Sequence, residues 1–183
     1  FVHLVKGKPI SLEVTGDDEK TIIRQANLLS QMGDNVYVKI PVTFTDGSYT
    51  TKVIEHLKEK EIKLNITAVF TIDQIKEILS PIRDTKNIIS VFAGRLYDIG
   101  LDAKKLMEEM GKYIHDESNC RLLWASPRMS FDLFSAHNAK TDIITMSMPI
   151  YEKLVLINKD PIDYSLETVK MFFDDAKKSG YIF

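Results

Sequence analysis

Val36-Tyr37-Val38-Lys39-Ile40-Pro41 is the stretch that decides the fold. Valine, tyrosine and isoleucine favour a pleated strand, and Pro41, which has no backbone N–H, ends it. A run this apolar belongs in a parallel sheet covered on both faces. A charged ammonium at Lys39 is costly there unless it is paired or gives up its proton. A desolvated lysine of lowered pKa is the amine that forms Schiff bases with carbonyl substrates. A lysine near a strand end can also snorkel to solvent, so Lys39 alone does not choose between the two roles.

Working outward, similar runs recur at Pro9–Val14, Lys63–Ala68, Ile88–Phe92, Arg121–Ala125 and Ile143–Met146. Between and after them the sequence predicts amphipathic helices over Asp18–Met32, Gly47–Lys60, Thr71–Ser80, Asp102–His115, Ser130–Asn138 and Tyr164–Gly180. In Thr51–Lys60, for example, Val53, Ile54 and Leu57 fall on one side and Lys52, Glu55, Lys58 and Glu59 on the other. Thr71 with Gln74, and Ser130 before an apolar run, read as N-caps. Strict βα alternation, at about 25–30 residues per unit, predicts a parallel sheet with right-handed crossovers. Even spacing without a GxGxxG turn favours a (β/α)8 TIM barrel over a doubly wound sheet. Only six strands are legible, and Phe1-Val2-His3-Leu4-Val5-Lys6-Gly7-Lys8-Pro9 reads as a helix end followed by a turn. The expectation is therefore one barrel domain over residues 1–183 that lacks its first two βα units.

Strand side chains alternate between faces, so parity assigns the barrel lumen. Val36, Val38 and Ile40 are apolar enough to face the helices, which turns Lys39 inward. The same test turns Glu13, Asn65, Thr67, Ser90 and Phe92 inward, and on the next strand it sends Leu123 and Ala125 outward, leaving Trp124 and Ser126 inside. Glu13, Lys39, Asn65, Thr67, Ser90 and Ser126 thus converge near the C-terminal strand ends, where barrel enzymes keep their chemistry. Converging polar side chains of this kind would each need a partner if they were merely structural. Arg95 and Arg128 follow two successive strand ends, and paired guanidinium forks suit a phosphorylated substrate.

Composition narrows the classes further. A formal charge of −2 with interspersed signs gives no basic footprint for nucleic acid. The lone Cys120 excludes a disulfide scaffold and favours a reducing compartment, and its place just before a strand reads as structural. No apolar stretch approaches the ~20 residues of a membrane span, and no signal peptide opens the chain. A cytoplasmic location is expected.

Several segments resemble the transaldolase family, in particular its small-subunit branch, which also holds fructose-6-phosphate aldolase. They are Gly7-Lys8-Pro9-Ile10-Ser11-Leu12-Glu13-Val14, Val36 to Thr43, Leu64-Asn65-Ile66-Thr67-Ala68-Val69-Phe70-Thr71, Ser90 to Gly100 and Ala125-Ser126-Pro127-Arg128. The resemblance implies that Lys39 is the Schiff-base lysine and that Glu13 and Thr67 hold the water used in proton transfer. It implies that Asn65 bonds substrate hydroxyls, that Ser90 and Phe92 line the donor pocket, and that Arg95, Ser126 and Arg128 bind phosphate. No cofactor and no metal are implied, and neither a nucleic-acid nor a membrane partner. Sugar phosphates are the implied substrates, and a homo-oligomer, commonly a ring-forming decamer in this branch, the implied assembly.

At an ordinary pKa near 10.4, only about one lysine in a few thousand is neutral at pH 7, and desolvation in the lumen is the expected remedy. Glu13 works against it, and the two arginines partly offset Glu13. The family's first-strand aspartate and second-strand Asn-Pro segment have no counterpart here, and Pro127 stands where an aromatic is common. Tyr49, Thr50 and Lys159-Asp160-Pro161 also depart from common family forms. Glu13, Asn65 and Phe92 point to transaldolase over the aldolase branch. A fructose-6-phosphate aldolase, and a non-catalytic sugar-phosphate-binding relative or inactive truncated fragment, are the alternatives.

Overall fold

Among the described residues six parallel strands pair in the order of the chain: β1 (Ile10–Glu13), β2 (Val36–Pro41), β3 (Leu64–Val69), β4 (Ile88–Val91), β5 (Arg121–Trp124) and β6 (Ile143–Ile144). The structure is a computed structural model, and it describes residues 2, 4, 5 and 7–180. The helix end expected over residues 1–9 falls partly on residues 1, 3 and 6, outside the described residues. Of its remainder, Lys8 N–H donates to the Val5 carbonyl at 3.0 Å, and Gly7 sits at φ 78°. That sharp turn delivers the chain into β1.

Between the strands lie α1 (Glu19–Ser30), α2 (Thr51–Glu59), α3 (Ile72–Leu79), α4 (Ala93–Asp98), α5 (Ala103–Glu117) and α6 (Asp132–Asn138). Sequential parallel order with a helix at each crossover is the wall of a (β/α) barrel. A closed eight-stranded barrel is not seen among the described residues. The alternating strand residues Val38, Ile40, Leu64, Ile66, Ile89 and Leu122 form one core with Ile22 of α1, Leu57 of α2, Ile78 of α3 and Met107 of α5. On the opposite, concave side Tyr37, Ile88, Leu123 and Ala125 form a second, smaller cluster with Phe92 and Ile143.

The local signals mostly hold. Asp18 caps α1 by accepting from Thr21 N–H, and Thr71 with Gln74 forms a capping box on α3. Ser130 does not cap α6; the Asp132 carboxylate instead accepts from Arg128 and Met129 N–H at 2.6 and 3.1 Å. The helix expected from Gly47 starts only at Thr51. Gly47, at φ 86°, lies in a hairpin whose ends pair Thr43 with Tyr49. The short helix α4 was not expected at all.

One parity assignment is overturned. Trp124 is fully buried among the helix-facing residues, whereas Leu123 and Ala125 face the concave side. Register settles it: Ser90 pairs with Leu123 and Val91 with Trp124, and neighbours in register share a face. In β3 a second local rule breaks. Ala68 at φ 59° shifts the register between Ile66 and Val69, so Val69 turns back toward the helices.

The contacts divide the chain into two compact units, Phe1–Met146 and Ser147–Phe183. The second contains α7 (Met148–Glu152), a 3-10 turn (Lys153–Leu156) and α8 (Pro161–Ser179). Asp160 caps α8 by accepting from Ile162 and Asp163 N–H, Pro161 opens it, and Gly180 at φ 71° closes it. Among the described residues no helix is long and apolar enough to cross a membrane.

Candidate active site

The concave end of the sheet forms a cavity of about 520 Å³ lined by Ser11, Glu13, Lys39, Asn65, Thr67, Ser90, Phe92, Ser126 and Thr145, with apolar side chains below them. Strand register creates the constellation. Glu13 is paired with Lys39, Lys39 with Asn65, and Pro41 with Thr67. Adjacent strands lie roughly 4.8 Å apart, so three reactive side chains stand side by side on one face.

Lys39 Nζ donates to Glu13 Oε2 at 3.4 Å. The apolar enclosure expected around Lys39 is incomplete, because its side chain keeps 26% exposure and that of Glu13 51%. Such a solvent-screened pair contributes about 0–1 kcal/mol to stability, so its reason for being there is not stability.

Behind the lysine the polar groups are dry. Asn65 is 3% exposed and Ser90 2%. Ser90 Oγ donates to Asn65 Oδ1 at 2.6 Å, and Asn65 Nδ2 donates to Ser11 Oγ at 2.9 Å. These two bonds define which end of the amide points to which neighbour. One Nδ2 hydrogen stays available to a ligand. Thr67 is 2% exposed, and its hydroxyl has no hydrogen-bond partner among the described residues. Thr67 lines the cavity as a residue, and its hydroxyl oxygen is itself buried.

Arg95 and Arg128 do not line the cavity; each is one residue removed from it. The Arg95 guanidinium lies 5.0 Å from the ring centroid of Phe92, a lining residue. Arg128 Nη1 donates to Ser126 Oγ, another lining residue, at 3.0 Å. Arg128 Nε and Nη2 grip the two oxygens of Asp98, at 2.9 Å for Nε to Oδ1. Those donors hold the Asp98 carboxyl below the usual carboxylate range, and Asp98 in turn raises Arg128. Ser126 reaches the cavity through an unusual backbone, φ 61°, after the strand has ended. The carbonyl of Ser126 lies against Gly94, where a Cβ would meet it at 1.5 Å.

Residues 2–181 match the family model described as Transaldolase/Fructose-6-phosphate aldolase. This chain belongs to that family. Proteins described as probable transaldolase from Streptococcus pyogenes serotype M5 (strain Manfredo) and serotype M49 (strain NZ131) are each 33% identical to it over 147 residues. Each match covers 80% of this chain and 65% of the relative, so the matched region spans about two thirds of the relatives' length.

For this transaldolase/aldolase family member the sequence brought Glu13, Lys39, Asn65, Thr67, Ser90, Phe92 and Ser126 to one place, and the structure puts all of them on the cavity. It missed Ser11, Thr145, Gly94 and Asp98. Ser11 was available from parity, two residues before Glu13 on the same face. The others depend on loop geometry that no strand period describes.

Proposed function

We propose that the whole protein is a transaldolase that moves a dihydroxyacetone unit from a ketose phosphate, such as sedoheptulose 7-phosphate or fructose 6-phosphate, to an aldose phosphate. The observation that carries this reading is the Lys39 amine beside Glu13, in register with Asn65, on the wall of a cavity. In this scheme neutral Lys39 Nζ adds to the donor carbonyl, and loss of water leaves an iminium. The iminium accepts the electron pair released when the C3–C4 bond breaks, and the C4 hydroxyl proton leaves to base as the aldose departs. The resulting enamine attacks the acceptor aldehyde, and water then frees Lys39. Glu13 and Thr67 hold the water that carries protons, and both residues line the cavity beside Lys39. Asn65 meets the sugar hydroxyls, Ser90 and Phe92 shape the donor pocket, and Arg95, Ser126 and Arg128 receive the phosphate. The full protein would complete one eight-stranded barrel domain.

The test is borohydride reduction of the full-length protein with fructose 6-phosphate, read by intact and peptide mass spectrometry. A dihydroxyacetone-sized adduct on Lys39 is expected, with release into water slower than transfer to erythrose 4-phosphate. Release as fast as transfer would make it a fructose-6-phosphate aldolase instead. A folded full-length protein that gives no adduct would leave a non-catalytic sugar-phosphate binder.

The reading includes a cytoplasmic location and a homo-oligomer. Ile162, Leu166, Val169, Phe172 and Phe173 of α8 are all more than half exposed, a contiguous apolar surface of the kind that marks protein contacts. Light scattering is expected to give a mass several times that of one chain, decameric in the form the family favours. A monomer at micromolar concentration would remove this part of the reading.

A further inference from the structure

We propose that Asp98 is a positioning residue for the anion subsite: by holding Arg128 it sets the preference for a phosphorylated over an unphosphorylated sugar. The inference rests on the Schiff-base reading above, and it concerns a residue that never touches substrate. Arg128 is exposed, and a free arginine on a loop samples many rotamers, whose ordering cost would fall on substrate binding.

The structure removes that freedom at three points. Asp98, the last residue of α4, takes Nε and Nη2 with its two carboxylate oxygens. Ser126 Oγ takes Nη1 at 3.0 Å. The buried Asp132 carboxylate holds the Arg128 main chain at 2.6 Å. A guanidinium has five N–H donors, so one remains on each of Nη1 and Nη2 for an incoming anion. Planar forks of this kind recognise phosphate best when their orientation is preset.

Asp98 also tempers the charge. Arg95 lies one helical turn before it on α4, close enough for its charge to favour the Asp98 carboxylate. With the buried Asp132 carboxylate at the Arg128 main chain, two guanidinium groups meet two carboxylates, so the subsite would recognise an anion through preset donors rather than through excess charge.

The test compares full-length wild type with Asp98→Asn, using fructose 6-phosphate and fructose as donors. The kcat/KM ratio of phosphorylated to unphosphorylated donor is expected to fall about tenfold, through a higher KM for the phosphate ester. On an Arg128→Gln background, Asp98→Asn is expected to cause no further drop, because its effect passes through Arg128. Titration calorimetry with inorganic phosphate is expected to show the same weakening without any turnover. An unchanged ratio overturns the proposal, as does an equal loss with both donors. A raised ratio would show Asp98 competing with substrate, and a further drop on the Arg128→Gln background would show a separate role; either overturns it. If Asp98→Asn does not fold, the ratio is read on Asp98→Glu, where the displaced carboxylate is expected to lower it and an unchanged ratio again overturns the proposal. If wild type forms no borohydride adduct but its phosphate affinity still depends on Asp98, the Schiff-base reading falls and the positioning role stands. Wild type that binds no phosphate overturns the subsite itself.

Discussion

Lys39→Arg is expected to abolish turnover, lowering kcat by at least about 10⁴-fold, while the protein stays folded. Arginine keeps the positive charge and can still reach Glu13, so the electrostatics of the site change little. It is effectively never deprotonated in proteins, so it cannot add to a carbonyl. A loss of that size corresponds to about 5.5 kcal/mol of activation barrier. Lys39→Met makes the complementary change, since it keeps an unbranched side chain and removes the nucleophile. Its effect on stability is expected to stay within about 1 kcal/mol, because both partners of the Glu13 pair keep solvent exposure, 26% at Lys39 and 51% at Glu13. Steady-state assays beside urea unfolding separate the two. More than about 1% residual activity in either variant would assign the reaction to another group.

Gly94→Ala is expected to be the most destabilising single-methyl change in the chain. Ordinarily alanine in a helix gains about 1 kcal/mol over glycine. At Gly94 the new Cβ would lie 1.5 Å from the Ser126 carbonyl oxygen and 2.7 Å from its carbon, both backbone atoms that cannot rotate away. Either α4 or the Ser126–Arg128 turn must move. A net cost of about 3 kcal/mol, toward the upper end for overpacking, lowers the melting temperature by about 6–12 °C. The turn carries Ser126 and Arg128, so affinity for inorganic phosphate is expected to fall in whatever protein remains folded. Gly111→Ala is the control. Its Cβ would meet the Leu122 side-chain tip at 3.0 Å and the Ala139 carbonyl oxygen at 3.2 Å, contacts relieved by a shift of a few tenths of an ångström, so a smaller loss is expected than at Gly94. Equal melting temperatures for the two variants would show that the Gly94 contact is not tight in solution.

How far the sequence carries depends on contrast within each strand. In Val36–Pro41 the lysine stands between Val38 and Ile40, so a single charge settles which side is the lumen. Asn65 and Thr67, flanked by Leu64 and Ile66, are read just as safely. Arg121–Trp124 lacks that contrast, since Leu122, Leu123 and Trp124 are all apolar and buried. Parity then has nothing to count, and it assigns Trp124 to the wrong face. The hydrogen-bonded register of Ser90 with Leu123 supplies what periodicity could not.

From sequence alone came the βα alternation, the strand that carries Lys39, most of the polar cavity lining and the two arginines that follow β4 and β5. These follow from periods of 2 and 3.6 residues and from the cost of burying charge, which act within a few neighbours along the chain. Only the tertiary structure decided that Trp124 faces the helices, that Asp98 holds Arg128 thirty residues away, and that Gly94 must lack a side chain. Each of these is a contact between loops or strands distant in sequence, and its geometry is set by packing density and register rather than by any local preference.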